Sequence, residues 1–134
     1  GGCGRVFEGD ADQMADSLAK LLKLPGHLKV YCGHEYSLAN LNFAMRVEPS
    51  NNKLIQRLTM INLAYKLKQA IPVNDLKLEF DTNPFLRTNE KTLVSVIAQR
   101  LNCSTADLTQ GKKFAALRSW KDELDATGIL EKTF

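Results

Sequence analysis

Leu28-Lys29-Val30-Tyr31-Cys32-Gly33-His34-Glu35-Tyr36 is the stretch on which the reading of this chain turns. Four residues of strand character, bounded by turn formers, run into a histidine next to a glycine, and a helical pattern starts at Ser37. A histidine at the carboxyl end of a buried strand, with a glycine to open the backbone beside it, stands where layered α/β folds put their chemistry. A lone histidine is as readily a satisfied structural group, so the flanking sequence has to decide.

Toward the amino end, Met14, Leu18, Leu21 and Leu22 recur at helical spacing between Asp10 and Leu24. Asp10 and Asp12 sit at the end of that segment where the helix dipole favours acid, and Pro25-Gly26 stops it. Helix, tight turn and strand make one αβ step. Farther upstream, Gly1-Gly2-Cys3-Gly4 leads into Arg5-Val6-Phe7-Glu8-Gly9. This lacks the basic region and apolar stretch of a signal peptide and reads as an internal loop. Glycines there allow a ligand close to Arg5 and Phe7.

Toward the carboxyl end the pattern is helical. Leu38, Leu41, Phe43 and Met45 predict a helix over 37–47, closed by Pro49-Ser50-Asn51-Asn52. A long helix is predicted over 53–70 and ends before Ile71-Pro72. Leu76 to Phe80 alternates and reads as extended. Asn83-Pro84-Phe85-Leu86-Arg87 is a stiff turn with Phe85 as a buried anchor. Leu93, Val94, Ile97 and Leu101 mark a helix capped by Thr88 or Asn89 and terminated by a left-handed Asn102. A last helix covers 111–126, with Phe114, Leu117 and Leu124 on one face. Four or five helices and one confident strand leave that strand without a sheet, and a parallel-type strand needs cover on both faces. The expectation is that its sheet lies upstream of Gly1.

Composition narrows the class. The 134 residues are 44% hydrophobic and 25% charged, ordinary for a globular domain. No apolar run approaches the roughly 20 residues that span a bilayer. A net charge of +3 is too small to argue for nucleic acid. Cys3, Cys32 and Cys103 are an odd, widely spaced set without a CxxC, which suits reduced thiols better than a disulfide framework or a zinc knuckle. Cys32 reads as a buried apolar residue.

The remaining chemistry is thin. His27, in the Pro25-Gly26-His27 turn, is the other histidine, and the two form no HxH or HxxxH spacing, so a catalytic metal cannot be assembled from them. No GxSxG, P-loop or GxGxxG is present. Arg118 and Lys121 are three apart on the last helix and share a side, where two fixed cations could hold a ligand's carboxylate or simply form a solvated basic face with Lys112 and Lys113.

Taken in order, GCGRVFEG, YCGHEYSLANLNFA followed by VEP, NPFLR and FAALRSWKD resemble the carboxyl-terminal half of glyoxalase II, the hydroxyacylglutathione hydrolases. That resemblance implies an α/β metallo-β-lactamase sandwich followed by a helical carboxyl-terminal domain, of which this chain is the mostly helical end with one or two remnant strands. Residues 1–47 would be the remnant of the sandwich and 48–134 the helical glutathione-binding domain. It also implies a centre of two divalent metal ions, zinc or iron, to which His34 supplies one ligand; the HxHxDH motif and the other ligands belong upstream of Gly1. No catalytic residue is assigned within the chain.

The substrate contacts implied are Arg5, Phe7, Tyr36, Arg118 and Lys121, with Arg5 standing for a lysine and Phe7 for a tyrosine whose hydroxyl is lost. The activity implied is hydrolysis of S-lactoylglutathione and related 2-hydroxyacyl thioesters to glutathione and a 2-hydroxy acid, in the cytoplasm or mitochondrion, with no nucleic-acid or membrane partner. The alternative is a catalytically inactive glutathione-binding or interaction module that associates through its incomplete sheet.

Overall fold

The computed structural model describes residues 1–131, except for the side chain of His34. The first helix, α1 (Ala11–Leu21), opens on a capping box. The Asp10 carboxylate accepts from the Gln13 backbone N–H at 2.8 Å, and Gln13 Oε1 accepts from the Asp10 N–H at 3.3 Å. Strand β1 (Lys29–Val30) follows, then a 3-10 turn over His34–Tyr36 that leads into α2 (Ser37–Val47). The bounds of α2 are those the apolar spacing predicts.

Helix α3 (Asn52–Lys66) begins with Asn51 accepting from the Leu54 N–H at 3.2 Å. It ends four residues sooner than expected, because Lys68 turns left-handed with φ of 54°. Strand β2 (Asn74–Asp75) and helix α4 (Leu76–Thr82) come next. Here the extended reading of 76–80 is wrong. Asp75 caps the segment by accepting from the Leu78 N–H at 3.0 Å, and Leu76, Glu79 and Thr82 are the buried positions, a helical spacing of three. The alternation of leucines and phenylalanine disguised a helix whose inner face carries a carboxylate.

A 3-10 turn at Pro84–Leu86 precedes α5 (Lys91–Leu101), which ends on Asn102 with φ of 50° as expected. Its cap is Glu90, one residue beyond Asn89 and two beyond Thr88. Those two side chains are engaged elsewhere, Thr88 accepting from Gln110 at 2.6 Å and Asn89 from Lys113. The last helix, α6 (Gln110–Asp125), is capped by Thr109.

Strand β1 pairs with β2 antiparallel, Lys29 opposite Asp75 and Val30 opposite Asn74. The buried, parallel-type strand is therefore corrected to an edge of a two-residue ribbon. Such a ribbon covers neither of its own faces, so Leu28 and Tyr31 lie exposed, Tyr31 at 80%. Cys32 is exposed for the same reason, against the expectation of burial.

The core is aromatic at its centre. Phe43 of α2 stacks on Phe85 at 5.8 Å and meets Trp120 of α6 edge-on at 5.8 Å, while Phe85 touches Phe114 of α6 at 5.7 Å. Ala15, Val47, Leu93, Ile97, Leu117 and Leu130 close around them, so α1, α2, α5 and α6 bury one common cluster. Each large side chain hidden there contributes about 1.5–3 kcal/mol. A second cluster, Leu41, Ala44, Leu54 and Ile61, joins α2 to α3.

Candidate ligand site

The Asn83-Pro84-Phe85-Leu86-Arg87 stretch organises the surroundings of the site. Phe85 anchors it in the aromatic core, as its sequence predicts. Arg87 forks onto Glu48 at the end of α2, with Nε and Nη2 each at 3.0 Å from one carboxylate oxygen. These hydrogen bonds hold the guanidinium above its ordinary pKa. Asn83 Oδ1 accepts from the Phe85 N–H at 3.1 Å, and its amide donates to the Gly2 carbonyl at 2.8 Å and to Glu79 at 3.1 Å.

Through Asn83 the opening segment is laid across the helices. The Gly1 amino group meets Glu79 Oε1 at 2.9 Å, and the Cys3 carbonyl accepts from Arg118 Nη1 at 3.3 Å, a contact between residues 115 apart in sequence. Gly2 has φ of 89°, and a Cβ there would lie 2.4 Å from the Asn40 side chain, so only glycine passes this point.

Beneath the segment lie two charged clusters. In one, Arg57 Nη2 reaches Glu79 at 2.5 Å, and Arg57 Nη1 donates to the Thr82 hydroxyl at 2.6 Å. Burial alone would push the Glu79 carboxyl up; the Gly1 amino group and Arg57 outweigh it and bring the pKa down to about 2. Burial lowers the amino group in turn.

The other cluster lies on α6 and gathers three of the residues that sequence reasoning singled out. Arg118 Nε and Nη2 donate to Asp122 Oδ1 at 3.1 and 2.7 Å, and Nη2 approaches Asp125 at 3.4 Å. Lys121 Nζ stands 2.8 Å from both oxygens of Asp125. Arg5 Nε comes within 3.7 Å of Asp122. Three cations face two carboxylates, which leaves one net positive charge. Arg118 and Lys121 are buried rather than part of a solvated basic face, and Lys113 is buried as well. Burial likewise pushes up the Cys3 thiol, which lies against Arg118.

Phe7 and Tyr36 are exposed, at 89% and 65%, and no hydrogen bond, ion pair or ring contact among the described residues ties them to the cluster. Tyr36 lies over Gly33, where a Cβ would come within 2.9 Å of its ring, so the glycine of the opening motif makes room for that aromatic. His34 belongs to the same turn, but its side chain lies outside what the structure describes. His27 is exposed in its turn. Among the described residues, which do not include the His34 side chain, no three His, Cys, Asp or Glu side chains form a group that could hold a metal ion.

Sequence reasoning missed Asp122, Asp125, Glu79 and Asn83. The i, i+4 spacings Arg118–Asp122 and Lys121–Asp125 were a readable signal. Nothing in the sequence pointed to Glu79 or Asn83 meeting the opening segment.

The described residues thus form a small helical fold in which a basic cluster on the last helix lies beneath a glycine-rich segment. The family model for the hydroxyacylglutathione hydrolase C-terminus matches residues 35–124, and the chain belongs to that family. Among similar proteins, the hydroxyacylglutathione hydrolase of Pseudomonas savastanoi pv. phaseolicola is 46% identical over 123 residues, which cover 91% of this chain and 46% of that protein. The protein of the same name from Alkalilimnicola ehrlichii is 47% identical over 123 residues, 92% of this chain and 47% of its own length. That of Hydrogenovibrio crunogenus is 42% identical over 134 residues, 98% of this chain and 48% of its own. The chain thus spans about half the length of the curated relatives it matches.

Proposed function

We propose that this chain is the carboxyl-terminal portion of a hydroxyacylglutathione hydrolase and supplies the glutathione end of its site. The observation that carries this reading is the convergence of Arg5 with Arg118 and Lys121 on Asp122 and Asp125, in a chain that belongs to the family. The net positive charge suits the glycine carboxylate of a glutathione thioester, and Arg5, exposed over 63% of its side chain, is open to it. Phe7 and Tyr36 offer exposed aromatic faces to the tripeptide.

In the complete enzyme a pair of divalent metal ions, zinc or iron, would supply the activated water and the charge that stabilises the tetrahedral oxyanion. His34 is the residue here assigned to that pair. The chain's own part is to bind and orient the thioester, with residues 1–47 belonging to the sandwich domain and 48–134 to the helical domain, in cytosol or mitochondrion. Among the described residues no helix is long and apolar enough to cross a membrane.

The test is hydrolysis of S-lactoylglutathione beside calorimetric titration with S-methylglutathione. The expected result is binding without turnover by the 134 residues, even with added zinc. Zinc-dependent turnover that disappears in His34→Ala would overturn the assignment of a binding role alone, and absence of binding would remove the glutathione site. A second reading, an inactive binding or interaction module, is favoured by the exposed apolar residues Leu28 and Tyr31 beside β1. A monomeric chain at all concentrations in sedimentation would count against it.

A further inference from the structure

Arg118 has five N–H groups, and each already has a partner within the chain. Nε and Nη2 donate to Asp122, Nη2 also faces Asp125, and Nη1 is turned to the Cys3 carbonyl and, at 3.9 Å, to the Cys3 sulfur. Lys121 has three N–H groups and, among the described residues, one partner, Asp125. An incoming carboxylate could therefore meet the exposed Arg5 directly, whereas Lys121 is as buried as Arg118. It reaches Arg118 only by taking over a bond that an aspartate now holds. Of the two aspartates, Asp122 is the accessible one, with 44% of its side chain exposed against 22% for Asp125. Asp122 also touches both arginines.

We propose that Asp122 is the affinity-determining counter-ion of this site: held between Arg118 and Arg5, it is the internal carboxylate that the ligand's carboxylate displaces. The inference rests on the glutathione reading given above and deepens it. Removing the charge of Asp122 while keeping its shape takes the cluster from one net positive charge to two. Arg118 stays in place, because its guanidinium is buried and still bonded to Asp125 and Cys3. The anion then binds more tightly, since it no longer competes with a like charge. At the separations of such a cluster and in a water-like dielectric, one unit charge corresponds to about a threefold change in affinity, and to more where water is excluded.

The experiment is titration of the full chain and of Asp122→Asn with S-methylglutathione and with the same thioether carrying an amide in place of its glycine carboxylate. Asp107→Asn, an exposed change of equal charge on the 3-10 turn at Thr105–Asp107, is the control. The expected result is binding at least threefold tighter in Asp122→Asn, steeper salt dependence, no gain for the amide, and no gain in Asp107→Asn. Unchanged or weaker binding in Asp122→Asn would overturn the inference and make Asp122 a prop for Arg118. A gain shared by Asp107→Asn would overturn it too, as an effect of net charge.

If neither chain binds S-methylglutathione, the glutathione reading fails on its own. The counter-ion role is then decided by acetate titration followed at the Arg118 side-chain N–H resonances. Response at lower acetate in Asp122→Asn upholds it, and equal response overturns it.

Discussion

Arg57 and Arg118 are both buried guanidiniums, 6% and 7% exposed, and both are paired to carboxylates on or beside a helix. Their surroundings differ in kind. Arg57 faces Glu79, itself 5% exposed, together with Thr82 and Asn74, and Asn83 donates to the same carboxylate, so the Arg57–Glu79 pair is shut away from water. Arg118 faces two aspartates that stay partly solvated, with Lys121 and Arg5 drawn to the same carboxylates. The first arrangement is closed and ties α3, α4 and the opening segment together. The second holds an accessible carboxylate, as the proposed exchange with an outside anion requires. Depth of burial is the same for the two guanidiniums; the exposure of their carboxylate partners is not.

The comparison can be broken most forcefully at the closed cluster. Arg57→Ala or Glu79→Ala strands a buried charge and should destabilise the fold by about 3–5 kcal/mol, measured by urea unfolding. Replacing both at once with Arg57→Met and Glu79→Leu should recover most of that loss. A loss below 1 kcal/mol for either single variant would show the pair to be solvated.

Acid probes the same network. Glu79 is held at about 2, against an ordinary value of 4.5, so its contribution is fully present above pH 4.5. Because its folded pKa is the lower one, the unfolded chain takes up the proton first, and stability falls as pH drops from 4.5 toward 2. Glu79→Gln should flatten that part of the pH profile.

At the open cluster the effects should appear in binding. Arg118→Ala and Lys121→Ala should each weaken S-methylglutathione by about 1.5–3 kcal/mol in calorimetry, the size of a charge-assisted contact. Unchanged affinity in both would make α6 a structural helix only. The smallest effect expected is that of Arg5→Ala. With most of its side chain in water, about a threefold loss at low salt that vanishes near 1 M salt would mark it as a long-range attractor. A loss that persists in salt would place it in direct contact.

Much of this organisation was legible before any fold was known. The helix at Ser37–Val47 followed from the spacing of Leu38, Leu41 and Phe43, and the turn at Asn102 from asparagine's tolerance of left-handed backbone. Phe85 as an anchor followed from an aromatic held on a proline turn. Arg118 and Lys121 stood out by their shared side of a helix, and the aspartates four residues beyond each of them lay one step of the same reasoning away.

The failures have a common source. Leu76 to Phe80 alternates, and alternation reports a strand only when the polar positions face water; Glu79 faces Arg57. The apolar composition of strand β1 predicts burial, yet among the described residues its partner is a two-residue strand more than forty positions later. Cys32 was carried with it.

By itself, the sequence determined the positions of the long helices, most of the turns that end them and the family those motifs mark. Periodicity, capping and glycine or proline geometry act within a few residues, so they are written locally. Only the tertiary structure decided which cations are neutralised, which are open, and that a glycine-rich segment at one end of the chain lies on the last helix. Those outcomes depend on the desolvation of charges by groups far away in sequence, a property of the assembled fold that no local pattern carries.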